Sequence, residues 1–314
     1  MCMNDLFQRG AIHIPWQKSF DYNVHMNRNS LFRSKSQNMK RIGIDLGGTK
    51  IEGVVLSEDS SILVRKRIPT PQEKNSDLAY KAILTSIRNL IHQLEFDAGT
   101  SGSIGIGTPG TISSLTGLVK NSNTVCLNGK PLQIDIENLI VRTVRIANDA
   151  NCSALSEAHN GAGSKYSSIF GIIMGTGVGG GIVINKQIHA GAMGIAGEWG
   201  HNPLLEHGPA CYCGRNGCVE TLISGPGFSA DYERSGGDPG RSPAEIIKYA
   251  ESDDKVAIHC VERFLNHFGR AVANVINILD PHAIVIGGGL SNLDLLYDRG
   301  RHAIEPHIFS DSFT

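Results

Sequence analysis

No run of the 314 residues stays apolar for the roughly 20 positions that a membrane-spanning helix requires. The first residues also lack the apolar segment of a secretory signal, so the cytoplasm is the expected compartment. Charge of one sign is scarce too: 29 Lys and Arg stand against 30 Asp and Glu, a formal net charge of −1. Without a basic surface, neither nucleic acid nor an anionic membrane is an expected partner. The G-x-x-x-x-G-K-[ST] loop is missing, which excludes the P-loop nucleotide enzymes. Cysteines number only seven, an odd count, and in a chain without an export signal a disulfide framework is not their expected use. Glycine, by contrast, is abundant: 37 residues, gathered in short loops rather than spread with a period. The length suffices for two domains, each with its own core.

Residues 1–40 differ in character from the rest of the chain. They hold six basic residues (Arg9, Lys18, Arg28, Arg33, Lys35, Lys40) against Asp5 and Asp21, with no sustained hydrophobic period. A disordered extension is expected there, with Met39 as the expected translation start. From Arg41 a short apolar strand, Arg41–Leu46, runs into Gly47-Gly48-Thr49-Lys50 and a second strand, Ile51–Leu56. Leu84, Ile87, Ile91 and Leu94 recur at helical spacing behind Asn75-Ser76-Asp77 and predict a helix over 76–95. Ser103–Gly107 reads as a strand ending in Thr108-Pro109-Gly110, and Val144–Ala147 as one delivering Asn148-Asp149 into a helix that ends near Gly161. Ser168–Met174 and Gly181–Asn185 flank a glycine loop. Val261, Phe264, Leu265, Phe268, Val272, Val275, Ile276 and Leu279 form one stripe of a long helix that Pro281 stops, before a last strand, Ala283–Ile286. Strands alternating with helices predict an α/β architecture, with an N-terminal lobe over 41–147 and a larger one over 148–314.

Three glycine clusters follow strands: Asp45-Leu46-Gly47-Gly48-Thr49-Lys50, Gly175-Thr176-Gly177-Val178-Gly179-Gly180-Gly181 and Gly287-Gly288-Gly289. Without a Cβ, backbone N–H groups can close on phosphate oxygens, so three such clusters point to a polyphosphate ligand, where any one alone would be an ordinary turn. Gly175, Gly177 and Gly180, like Gly105, Gly107 and Gly110, satisfy G-x-G-x-x-G, but each leads into β-branched residues instead of a helix, which excludes a dinucleotide fold. His201-x9-Cys211-x-Cys213-x4-Cys218 offers one imidazole and three thiolates, a closed tetrahedral set for structural Zn²⁺; the bland alternative is reduced core cysteines beside a chance histidine. Asp149 lies at the end of an apolar strand, where a carboxylate can take a proton from an attacking hydroxyl. On local sequence alone, a helix N-cap is its simpler role. Glu198 and Glu220, taken singly, read as solvated surface acids, and their place beside the metal ligands makes them candidates for gripping sugar hydroxyls. Asn151-Cys152-Ser153 is a glycosylation sequon in form only, since it falls inside the predicted helix after Asp149.

Asp45–Lys50, Asn148-Asp149-Ala150-Asn151, Gly175–Gly181, Glu198-Trp199-Gly200-His201-Asn202-Pro203-Leu204 and Cys211–Thr221 stand in the order found in ROK proteins (repressors, open reading frames, kinases), which the chain resembles from about Lys40 to Arg299. Val119-Lys120-Asn121-Ser122-Asn123 and Leu127-Asn128-Gly129 are most similar to bacterial fructokinases within that family. The resemblance implies a two-lobed, actin-like ATPase (ribonuclease-H-like) fold with a zinc-binding loop. It implies that Asp149 is the general base, with Asn123, Asn148, Asp149, Glu198, His201 and Glu220 on the sugar. One nitrogen of His201 would face zinc and the other a sugar hydroxyl. Asp45 would approach Mg²⁺, Gly47, Gly48, Thr49, Lys50, Thr176 and Gly177 the phosphates of ATP, and Gly288 and Gly289 the adenosine. The implied activity is transfer of the γ-phosphoryl group to the 6-hydroxyl of a hexose, D-fructose first and glucose, mannose or an N-acetylhexosamine next, in a homodimer. A sugar-responsive regulator of the same family is the competing class. It would need a DNA-binding helix-turn-helix, for which residues 1–40 are too short. Two departures stand out. The chain stops at Thr314 where family members continue through a strand, a turn and a helix, so it reads as truncated, and the stretch between His201 and Cys211 is shorter than in the fructokinases.

Overall fold

The computed structural model describes residues 11–13 and 40–311, and the expectation for the remainder of 1–40 lies outside the described residues. The described residues form two compact units, one ending at Asp149 and one beginning at Ala150. A short strand, β1 (Ala11–His13), pairs antiparallel with a strand of the second unit, Ala11 opposite Val285.

In the first unit, β2 (Lys40–Leu46), β3 (Lys50–Leu56) and β4 (Ile62–Pro69) form an antiparallel meander. Helix α1 (Ser76–Ala98) crosses over to β5 (Gly102–Thr108), which pairs parallel to β2. A small ribbon, β6 (Thr111–Ile112) with β7 (Val119–Lys120), and helix α2 (Leu132–Ile140) precede β8 (Val144–Asn148), parallel to β5. The sheet order is therefore β4-β3-β2-β5-β8. Helix α1 starts where the Asn75 side chain accepts from the N–H groups of Asp77 and Leu78, and stops at Gly99, whose φ of 60° ends the helix in the left-handed region. That glycine carries the helix three residues past the predicted end. The face it buries is Ile83, Ile87, Leu90, Ile91 and Leu94, packed on Ile42, Ile44 and Ile51, while Leu84 lies at the margin.

Helix α3 (Asp149–Asn160) leads into the second unit. There β9 (Ser168–Met174), β10 (Val178–Ile184) and β11 (Gln187–Ile188) again form an antiparallel meander. Helices α4 (Val219–Ile223), α5 (Gly225–Arg234), α6 (Pro243–Glu251) and α7 (Lys255–Leu279) follow, then β12 (Ala283–Gly287), parallel to β9, and a short α8 (Arg299–Ile304). The order β1-β12-β9-β10-β11 repeats the meander-plus-parallel-strand logic of the first sheet, the ribonuclease-H-like pattern. Helix α7 buries the predicted stripe through Val261, Phe264, Leu265, Phe268, Val272 and Ile276, with Val275 and Leu279 at its edge. Asp254 caps its first turn by accepting from the Ala257 N–H at 2.7 Å. Among the described residues no helix is long and apolar enough to cross a membrane.

Strand β10 begins three residues earlier than expected, at Val178. Gly179, Gly180 and Gly181 are thus strand residues, not loop. A Cβ on Gly181 would stand 2.7 Å from the Cβ of Ala154 and 2.9 Å from the Ala150 carbonyl, so this glycine exists to let α3 approach the sheet. The turn itself is only Gly175-Thr176-Gly177.

Candidate functional site

Ligands in open α/β sheets bind beyond the carboxyl ends of parallel strands. In the first unit those ends belong to β2, β5 and β8, and they carry Asp45 and the Gly47–Lys50 turn, then Pro109-Gly110, then Asn148-Asp149. The turn is closed by the Gly47 N–H donating to the Lys50 carbonyl at 2.9 Å. From the segment just after β4, the Thr70 hydroxyl donates to the Gly47 carbonyl at 2.7 Å and Gln72 Nε2 to that of Gly48 at 2.9 Å. Burial pushes the Asp45 carboxyl above its usual range and Glu52 opposite adds to this, while Lys50 and Arg67 pull it down. A cation placed there would favour the ionised form, which fits a group that faces Mg²⁺.

Asn148 donates from Nδ2 to the Gly110 carbonyl at 3.1 Å. Gly110 in turn packs on the segment that leads to Asn123: a side chain on it would lie 2.5 Å from the Lys120 carbonyl and 2.8 Å from the Ser122 nitrogen. Asn123 is exposed at the tip of that segment, and Asp149 is half-buried at the first position of α3. Asn128 accepts from the Ser122 N–H at 2.9 Å and donates to its carbonyl at 2.8 Å. The Leu127-Asn128-Gly129 motif therefore shapes this loop and has no reason to report which sugar is bound. Thr124 was not singled out by the sequence. Its hydroxyl is buried without a partner, 3.4 Å from where a Cβ on Gly48 would sit. No local pattern distinguishes it from any other loop threonine.

In the second unit the turns after β9 and β12 lie side by side, with a Cβ on Gly175 falling 3.6 Å from the Gly289 nitrogen. Gly288 has φ +88° and a Cβ there would meet the Met174 carbonyl at 2.3 Å, so only glycine fits. Thr176 and Gly177 stand at the tip of the first of these turns.

The Glu198–His201 turn is pinned by Trp199, buried edge-on against Phe170 and donating from Nε1 to the Gly179 carbonyl at 2.9 Å. This brings His201 to the cysteines. The donor atoms of His201, Cys211, Cys213 and Cys218 all lie within 4.8 Å of one another. Cys211 Sγ is 3.5 Å from His201 Nδ1, and Cys213 Sγ 3.6 Å from Cys218 Sγ. A tetrahedron with metal–ligand bonds of about 2.0–2.3 Å has edges of about 3.3–3.8 Å, so these two pairs already stand at the edge length of a Zn²⁺ site and the set as a whole is close to it. Arg215 donates from Nη1 to the His201 carbonyl at 2.9 Å, and the Val219 N–H to that of Asn202 at 3.0 Å. Both tie the two arms of the loop together.

Tyr212 is the second residue that sequence reasoning passed over. Its hydroxyl lies 3.0 Å from His201 Nε2, the nitrogen turned away from the cysteines, and its ring stands edge-on to the imidazole. Desolvation around the hydroxyl of this otherwise exposed residue, then the nearby Glu220, Cys211 and Glu198 charges, push its phenol up to about 12. Glu198, His201, Tyr212 and Glu220 therefore share one neighbourhood. The sequence signal was available, because Tyr212 sits between Cys211 and Cys213 of the candidate donor set. Glu220 is half-buried, and its Oε2 accepts from the Val178 N–H at 2.9 Å.

The ROK family matches this chain over residues 41–313. The N-acetyl-D-glucosamine kinase of Yersinia pseudotuberculosis is 39% identical over 277 residues, covering 85% of this chain and 89% of the relative. That of Haemophilus influenzae is 37% identical over the same shares. Among solved structures, the ROK hexokinase from Thermus thermophilus superposes with a TM-score of 0.76 at 31% identity, covering 86% of this chain and 89% of the other. A ROK family glucokinase from Streptomyces griseus, in complex with glucose and AMPPNP, gives 0.66 at 26% identity, with 84% and 89% covered. These curated relatives are named for N-acetyl-D-glucosamine and not for fructose, so the fructokinase likeness read from Val119–Asn123 and Leu127–Gly129 gives way to the N-acetylhexosamine alternative. The expected fold stands, and the chain belongs to the ROK family.

Proposed function

We propose that this protein is an ATP-dependent sugar kinase that phosphorylates the 6-hydroxyl of an N-acetylhexosamine, with N-acetyl-D-glucosamine as its preferred substrate. The observation that carries the substrate is the 39% identity, over 277 residues, to an N-acetyl-D-glucosamine kinase. The retained metal donors, glycine turns and carboxylates support the chemistry. Phosphoryl transfer has a loose transition state, so catalysis is mostly positioning and charge stabilisation. Asp149 takes the proton of the attacking hydroxyl as the γ-phosphoryl group departs from ADP. The sugar-binding residues of this reading are Asn123, Asn148, Glu198, His201 and Glu220, which offer hydrogen-bonding groups suited to hydroxyls. The backbone N–H groups of Gly47–Lys50 and of Thr176-Gly177 face the phosphates, with Gly288 and Gly289 beside the adenosine. Asp45 would hold Mg²⁺, which when bound would supply neutralisation of the phosphate charge. His201, Cys211, Cys213 and Cys218 would hold Zn²⁺ in a structural role, because four protein ligands would leave no open position.

His201 presents Nε2 to Tyr212 in this structure, so a sugar hydroxyl that takes the same nitrogen must displace or share the phenol. The test is ADP release across a panel of N-acetyl-D-glucosamine, N-acetyl-D-mannosamine, glucose, mannose and fructose. The expected result is the highest kcat/KM on N-acetyl-D-glucosamine. A higher value on fructose would overturn the substrate, and tight sugar binding with no turnover on any hexose would overturn the activity.

A further inference from the structure

The Gly175–Gly177 turn does not hold itself. It has one internal bond, Gly175 N–H to the Gly177 carbonyl at 2.9 Å. Its two ends are held from a single segment: the Val178 N–H donates to Glu220 Oε2 at 2.9 Å, and the Gly225 N–H donates to the Gly175 carbonyl at 2.8 Å. The fit is tight, since a Cβ on Gly177 would stand 2.7 Å from the same carboxylate oxygen. Glu220 lies in the first turn of α4, two residues after Cys218. That turn is anchored by the Thr221 N–H and hydroxyl, which donate to the Cys218 carbonyl at 2.9 and 2.8 Å. The carboxylate therefore reaches the turn from a base fixed on the cysteine loop.

We infer that Glu220 is a positioning residue for the Gly175–Val178 turn, holding the backbone at Val178 through its side-chain oxygen in addition to any contact with sugar. The inference deepens the proposed function, because it is through the Thr176-Gly177 amides that the turn would act on nucleotide. A charged acceptor on a backbone N–H is worth more than a neutral one, and it fixes direction as well as distance. The two roles of Glu220 separate by substitution. Glu220→Gln keeps an oxygen that can accept from Val178 and loses the charge, whereas Glu220→Ala loses both.

The experiment is amide hydrogen exchange on the full chain without ligands, read on peptides covering 175–180, together with binding of AMPPNP alone. Glu220→Ala is expected to speed exchange at Val178 at least about tenfold, the loss of one local protecting bond, while Glu220→Gln stays within about threefold of wild type. Gly177→Ala, which crowds the carboxylate off its bond, should match Glu220→Ala and serves if that variant does not fold. Unchanged exchange at Val178 in both Glu220→Ala and Gly177→Ala overturns the inference. Faster exchange with AMPPNP affinity held at the wild-type value supports the strut and overturns the placement of nucleotide at Thr176-Gly177.

Discussion

The two units carry the same turn in the same place and support it differently. Gly47–Lys50 links β2 to β3 and Gly175–Gly177 links β9 to β10, each at the carboxyl end of a strand that also pairs in parallel. The first is held by Thr70 and Gln72, residues at and just beyond the end of the next strand of its own sheet. Its support comes with the fold. The second is held by Glu220 and Gly225, which come directly after the cysteine loop. One turn is thus braced from its own sheet, and the other from a helix that directly follows the His201–Cys218 donor set and is itself seated in the core by Val219, Leu222 and Ile223.

The largest effect separates both turns from the chemistry. Neither supplies a base, so Asp149→Asn is expected to lower kcat by at least about 10²-fold while sugar and AMPPNP affinities stay within a few-fold, measured by steady-state kinetics and calorimetry. Near-normal kcat in that variant would remove Asp149 from the role. Next in size is loss of the metal. Elemental analysis should find about one zinc per chain, and Cys213→Ser or a chelator should remove it and lower the thermal midpoint, because metal-binding energy is also folding energy. Exchange should then quicken over 175–180 and hold over 47–50. Equal loosening of both turns would break the comparison. The smallest effect is Thr70→Val, which deletes one hydroxyl donor to Gly47, worth about 1 kcal/mol, and should loosen only the first turn.

Much of this was legible because it rests on periodicity and on spacing. The α7 stripe and the His201–Cys218 donor set announce themselves within short windows, and the structure places both as read. The glycine run was legible only as a composition. Gly175–Gly181 looked like one phosphate loop, yet its second half is strand, and its glycines answer to the approach of Ala154 on α3. Contacts of that kind join residues about 27 positions apart and leave no local mark. Glu220 shows the same limit. Its place beside the metal ligands suggested sugar, while its bond to Val178 spans 42 residues and appears only after folding. Substrate identity was the least legible, since the asparagine motif used to read it turned out to brace a loop.

Trp199 gives the molecule a label of its own. Its indole is buried and bonded to the Gly179 carbonyl on the strand that leaves the second turn, and it directly follows Glu198 in the chain. Emission from an indole depends on the polarity and hydrogen bonding around it, so with the other indole removed by Trp16→Phe, ultraviolet fluorescence reports changes around Gly179 and the Glu198–His201 turn without any added dye. Under the proposed placement of sugar beside Glu198, a titration cuvette is then enough to rank sugars before a single turnover is measured.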